Sequence, residues 1–271
     1  MNSIFKLGTI TILVLIMFSS CSNYQKVLKS NDYVKKYEVA LQLYNKKDYQ
    51  KAYPLLEELV SVKRGTKEAE DIYYYYCYCN YYLDDLISAS YHFEQFAKTY
   101  PASEKAEEAS YMNAYCYYLG SPVYSLDQSN SYRAIEELQL FINKYPNSTR
   151  INECNDLIDN LRAKLEIKSF EKGMLYYKMS DYKAAIVALN NTLKDFPMTD
   201  YRETILFTIV KSNYLLAENS YENKKAERYR ATIDAYNVFI DKFANGKNIK
   251  EANTIVEKAK SKYAAYVSNV N

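Results

Sequence analysis

Glycine and proline are scarce, at five residues each in a chain of 271. A β-sandwich or a nucleotide-binding α/β domain needs more turn glycines than that. Few breakers and long periodic stretches point instead to an all-helical protein. Neither charge is in excess: 35 basic residues face 33 acidic ones, a formal net charge of +2. That leaves no basic surplus to neutralise phosphates, so no nucleic-acid partner is expected. Tryptophan is absent and His92 is the only histidine. No nucleophile is tied to His92 by a known motif, and no glycine-rich phosphate loop exists. Carboxylate pairs such as Glu57–Glu58, Glu107–Glu108 and Glu136–Glu137 fall on solvated helix faces. The chain reads as a non-enzyme with no cofactor and no metal. Beyond residue 22 there is no apolar run of membrane-spanning length.

The first residues read as a targeting segment. "MNSIFKLGTITILVLIMFSSCS" carries one charge, Lys6, and then an apolar run from Leu7 to Phe18. A basic start, a short apolar core and small residues describe a secretory signal. Ser19 and Ser20 before Cys21 resemble the lipobox of bacterial lipoproteins, with Phe18 a departure from the commoner Leu. Residues 1–20 are then the signal peptide, Cys21 the lipidated first residue, and 21–32 a linker. Several acyl chains anchor stably where one is marginal. Ser22 follows the cysteine instead of Asp, which favours the outer over the inner membrane.

One phrase returns along the chain: "DYQKAYPLLEELV" (48–60), "DDLISASYHFEQFAKTYP" (84–101), "NSYRAIEELQLFINKYP" (130–146), "DYKAAIVALNNTLKDFP" (181–197) and "ERYRATIDAYNVFIDKFA" (227–244). A small residue anchors each copy: Ala52, Ala89, Ala134, Ala185 and Thr232. Four residues on come Leu56, Phe93, Leu138, Leu189 or Tyr236, a helical stripe. Eleven residues after the anchor stand Tyr100, Tyr145, Phe196 and Phe243, three of them directly before a proline that cannot continue the helix. A second helical stretch precedes each phrase, with Val39, Ala40 and Leu43 as the stripe in the first. In the fourth, Gly173 sits where only a small residue fits a close crossing. Helix, turn, helix with small contact residues resembles the tetratricopeptide repeat. The expected fold is an all-α tetratricopeptide-repeat superhelix of five repeats plus a capping helix over 247–267. An inserted loop at 120–130 and a lengthened helix through 149–167 account for wide repeat spacing.

The stretch "IYYYYCYCNYY" (72–82) is the first helix of the second repeat, and seven of its eleven residues are tyrosine. Counting from Ala89 puts Tyr73, Tyr76 and Cys77 between helices. The same count puts Tyr74, Tyr75, Tyr78, Tyr81 and Tyr82 on the concave side. It adds Tyr37, Leu41 and Tyr44 in repeat one, Tyr111, Tyr117 and Tyr118 in repeat three, and Phe170, Met174 and Tyr177 in repeat four. Two readings stand. Tyrosine, with 32 copies, is the general packing residue here, burying a ring while keeping its hydroxyl wet. Alternatively these rings form a stripe that binds an extended aromatic-rich peptide. Cys77, Cys79, Cys116 and Cys154 occupy positions for small apolar residues and read as buried thiols, although an oxidising compartment permits pairing.

Three stretches resemble the BamD (YfiO) family of outer-membrane β-barrel assembly lipoproteins. They are "AKTYPASEKAEEASYMNAYCYY" (97–118), the Asp-Gln loop in "LDQSNSYRAIEELQLFINKYPNS" (126–148), and "LRAKLEIKSFEKGMLYYKMSDYKAAIVALNNTLKDFPMTDYRETIL" (161–206). The tyrosine load and the insertion at 218–230 depart from the family. The resemblance implies a lipid-anchored protein on the periplasmic face of the outer membrane. N-terminal repeats (33–118) would receive unfolded outer-membrane proteins, whose terminal strand ends in aromatic residues. The implied groove is Tyr37, Leu41, Tyr44, Tyr74, Tyr75, Tyr78, Tyr81, Tyr82 and Tyr111. C-terminal repeats (119–267) would dock onto the periplasmic domain of a BamA-type β-barrel insertase, with Arg202, Glu203 and Arg228 as candidates, and other assembly lipoproteins could join. Two other functions remain open on the residues alone: a repeat lipoprotein organising cell-wall, secretion or motility components, and a periplasmic peptide- or glycan-binding module.

Overall fold

The computed structural model describes residues 23–268. The signal segment and Cys21 lie outside them. Contacts divide the described chain into two units, one of 23–122 with 128–158 and one of 123–127 with 159–268.

The first unit holds a short helical segment at 23–28, then α1 (Tyr33–Asn45), α2 (Tyr49–Val62), α3 (Ala69–Tyr82), α4 (Leu86–Thr99), α5 (Ala106–Leu119) and α6 (Ser129–Lys144). It ends within α7 (Ile151–Lys178). The second unit takes the rest of α7, then α8 (Tyr182–Asp195), α9 (Arg202–Glu218), α10 (Glu222–Phe243) and α11 (Ile249–Ser268). The described helices pair as five hairpins and one closing helix, as the repeat pattern predicts.

The sequence writes the turns inside three hairpins in one way. Lys47, Asp84 and Ser180 adopt left-handed φ of 61°, 63° and 63°. The N–H groups of Asp48, Asp85 and Asp181 then reach back to the carbonyls of Leu43, Asn80 and Tyr176 at 2.9–3.0 Å. This closes each first helix as a Schellman turn, with a residue other than glycine at the left-handed position. The same aspartates cap the following helix, accepting from the N–H groups of Lys51, Ser88 and Ala184. The second helices end at Tyr100, Tyr145 and Phe196, each before its proline.

All five small anchors are fully buried, as are Leu56, Phe93, Leu138 and Leu189. Burying each such large side chain contributes about 1.5–3 kcal/mol. In the first unit Ala40, Ala52, Leu55, Leu56, Leu59, Ile72, Tyr76 and Cys79 form one core cluster. In the second, Phe170, Leu189, Ile205 and Ile209 form another. A third joins Leu206, Phe207, Val210, Phe239 and Ala252 between α9, α10 and α11.

Both helices of the third hairpin lie in the first unit, where α5 packs on both α4 and α6, and that unit runs on to residue 158. Only residues 123–127 of the inserted loop leave it, and the Lys168 ammonium gathers the carbonyls of Tyr124 (3.1 Å), Ser125 (3.4 Å) and Leu126 (2.7 Å) there. Within the expected linker 21–32, Tyr24, Val27 and Leu28 pack against the first core.

Candidate functional site

Helix α3 carries rings on every side, and its neighbours sort them. Tyr76 and Cys77 are buried. Tyr73 and Tyr76 set their rings against His92, with centroids 5.8 and 4.8 Å away. The Tyr73 hydroxyl and His92 Nδ1 share a 3.2 Å hydrogen bond. This is the packing side the sequence count assigned.

The remaining rings of α3 meet rings from α1 and α2. Tyr44 lies 4.8 Å from Tyr75 edge-on, and 5.4 Å from Tyr49. Tyr49 stacks on Tyr82 at 4.4 Å and 16°. Tyr82 continues to Tyr81 at 5.2 Å and Tyr78 at 5.8 Å, and Tyr78 to Tyr74 at 5.0 Å. Each such pair contributes about 0.5–1.5 kcal/mol beyond the area it buries. Tyr82 remains 47% exposed. Tyr44, Tyr49, Tyr75 and Tyr81 are half-buried, as are Tyr37 and Leu41 on α1. Sequence counting missed Tyr49. Its only signal is its place directly after the capping Asp48, which turns the start of α2 back toward the end of α3.

Tyr74 and Tyr78 also meet rings of α4. Tyr74 meets Phe96 at 5.4 Å and Tyr78 meets Phe93 at 5.0 Å. The Tyr78 hydroxyl donates to Glu108 Oε1 at 2.8 Å. The Lys105 ammonium, paired with Asp71, stands 5.4 Å over the Tyr74 ring. Burial, then the Tyr82 phenol and the Cys79 thiol, push the Tyr44 phenol well above its ordinary value. Burial, then the Asp71 carboxylate, take Tyr37 up to about 12. The Tyr37 and Tyr44 phenols are therefore neutral across physiological pH.

Tyr111 departs from the expected groove. It is 3% exposed, with its hydroxyl donating to Glu153 Oε1 at 2.7 Å and the Arg150 guanidinium 4.1 Å over its ring. A bonding pattern shared by two repeats puts it there. Ser103 Oγ donates to Glu70 at 2.6 Å while Lys105 pairs with Asp71. One repeat later, Ser148 Oγ donates to Glu107 at 2.6 Å while Arg150 pairs with Glu108 at 2.7 Å. Each cation covers the ring three or four residues beyond its carboxylates, Tyr74 in one repeat and Tyr111 in the next. The flatter guanidinium closes over Tyr111 more tightly.

In the second unit the docking candidates are engaged within the fold. Glu203 accepts from the Asn248 backbone N–H at 3.1 Å and side-chain amide at 3.2 Å, holding the entry to α11. Arg202 donates to the Pro197 carbonyl, and Arg228 to the Ser220 hydroxyl. Phe170 stacks on Tyr201 at 4.2 Å and is buried.

The described cysteines are free and buried. Burial raises their thiols, Cys79 and Cys116 to about 12 and Cys154 to about 11, so they stay protonated and unreactive. Among the described residues no group of three or more His, Cys, Asp or Glu could hold a metal ion. No described helix is long and apolar enough to cross a membrane.

The profile of the YfiO family, described as an outer membrane lipoprotein, matches residues 30–229. The outer membrane protein assembly factor BamD of Caulobacter vibrioides is 26% identical over 156 residues. That match covers 55% of this chain and 51% of the relative, so the chain spans about half the length of the curated protein it matches. The crystal structure of the P58(IPK) TPR domain aligns with 91% of this chain and 68% of its own, at a TM-score of 0.41 and 14% identity. The apo form of RapI aligns over 86% and 84%, at 0.30 and 15%.

Proposed function

The chain belongs to the YfiO family of outer membrane lipoproteins, and from that premise we propose that it is a non-catalytic scaffold of outer-membrane β-barrel protein assembly. In this reading acyl chains on Cys21 hold it to the periplasmic face of the outer membrane. The second unit docks onto the periplasmic domain of a BamA-type insertase, and other assembly lipoproteins can join. The tyrosine cluster of the first unit receives the aromatic end of an unfolded outer-membrane protein.

The observation that carries the client site is Tyr82, stacked on Tyr49 and in contact with Tyr44, Tyr78 and Tyr81, yet half open to solvent. Rings already fixed by their neighbours lose little freedom when a peptide covers them, so contact area converts to affinity efficiently. The neutral Tyr37 and Tyr44 phenols suit an apolar strand that carries few charges. Tyr111, covered by Arg150, takes no part.

The test is direct binding of a labelled strand peptide ending in phenylalanine to the full-length protein, read by fluorescence anisotropy. Replacing Tyr81 and Tyr82 together with alanine weakens binding about tenfold or more, the size of an interface hot spot. Unchanged affinity removes the client site from the cluster. Insertase docking is read separately, by mild-detergent purification from native membranes; recovery of cell-wall or motility proteins without a large β-barrel partner overturns that part.

A further inference from the structure

The segment that follows Cys21 is packed onto the fold. Tyr24, Val27 and Leu28 lie against the first core cluster. The Tyr24 hydroxyl donates to the Lys51 carbonyl at 3.1 Å. Lys36, a lysine only 1% exposed, donates to the Leu28 carbonyl at 3.1 Å and to Glu58 at 2.5 Å. Lys26 and Lys29 are exposed, one helical turn apart and on the side away from Tyr24, Val27 and Leu28. Between residues 23 and 36 the charges are Lys26, Lys29, Lys35 and Lys36 against Asp32.

We propose that the first helical hairpin rests directly on an anionic phospholipid surface, held there by this docked segment, with Lys26 and Lys29 facing the headgroups. The proposal rests on the acylation of Cys21 in the reading above. From Cys21 to Tyr24 is three residues, which span at most about 11 Å. The headgroup layer on one side of a bilayer is about 5–7 Å deep. Tyr24 and the hairpin it touches therefore have no room to leave the surface. A free linker through residue 32 would instead reach about 36–40 Å and let the hairpin hang in solution. The two lysines add attraction to anionic lipid that neutral lipid cannot supply. On this arrangement the tyrosine cluster captures its client next to the bilayer, where the strand must be inserted.

The experiment uses the full-length lipidated protein in phosphatidylcholine vesicles, with or without phosphatidylglycerol. Mass spectrometry of the N-terminal peptide comes first; an unmodified Cys21 overturns both the anchor and this proposal. A nitroxide on Asn31→Cys is then read for collision with nickel-chelating headgroup lipids. The expected result is strong collision, falling several-fold when a long Gly-Ser spacer is inserted between Ser22 and Asn23. Lys26→Gln with Lys29→Gln lowers collision in phosphatidylglycerol vesicles and leaves it unchanged in neutral ones. An acylated protein whose label collides no more than the spacer variant overturns the proposal. So does an unaltered response to phosphatidylglycerol in the lysine variant. Peptide binding to Tyr81 and Tyr82 is independent of these outcomes, so failure here leaves the client site standing.

Discussion

Gly173 on α7 stands so close to Leu189 on α8 that a Cβ built on it would lie 2.5 Å from Leu189 Cδ2 and 2.7 Å from Cγ. Leu189 is fully buried, so its side chain has nowhere to retreat. The hairpin crossing in the fourth repeat is set by this missing methyl.

Gly173→Ala therefore destabilises the second unit. Overpacking costs about 1–3 kcal/mol, and the gain in helix propensity returns about 1 kcal/mol. A net loss of about 1 kcal/mol is expected in urea denaturation, and a larger one for Gly173→Val. Adding Leu189→Ala to Gly173→Ala should cost less than the sum of the two single changes. Strict additivity would mean the two residues do not press on each other.

The Lys36–Glu58 pair should respond asymmetrically. Glu58→Gln leaves a buried ammonium with a weaker partner, at a cost of about 3 kcal/mol or more. Lys36→Met keeps the apolar stem and frees a carboxylate that is already 37% exposed, so its cost is smaller. Chemical denaturation of the two variants gives the order; the reverse order would show that the ammonium finds water.

Neighbouring residues in one turn should shift stability in opposite directions. Ser180 holds a φ of 63°, which strains any side chain, so Ser180→Gly gains up to about 1 kcal/mol. Asp181→Ala removes the bond to the Ala184 N–H and loses about 1 kcal/mol. Thermal melting of both variants checks the signs.

His92 gives a pH signature. Burial lowers its pKa, outweighing Asp85 and Glu57, which act to raise it. A histidine with a depressed folded value contributes stability that is full above its unfolded pKa near 6.5. That contribution is lost as pH falls through the folded value. His92→Gln should flatten this slope below pH ~6.5, and proton NMR of the single imidazole should titrate with a midpoint below that of a free histidine.

The cysteines should be silent in the native protein. With Cys79 and Cys116 raised to about 12 by burial, a thiol reagent at neutral pH reacts with none of the four described cysteines until denaturant is added. Rapid labelling of the native chain would mean the helices open locally.

The repeats were legible from the residues alone. A small anchor, a large residue four places on and an aromatic before proline are local requirements of one helix crossing another and then stopping, so they survive as a pattern. Gly173 was legible for the same reason, as were the long α7 and the closing α11. The sides of the tyrosine helix were legible only in part, since a phenol suits a core and a wet surface equally well. Tyr74 and Tyr111 occupy the same step of successive repeats, yet Arg150, about forty residues away in sequence, covers one ring more closely than Lys105 covers the other. Tyr49 joined the cluster through a turn, Glu203 was drawn into capping α11, and Lys36 fastened a stretch that the sequence places as a linker after Cys21. Each of these was decided by a partner from a distant element. Only the tertiary structure brings such partners within bonding distance, because no residue's own helix carries a record of what will pack against it.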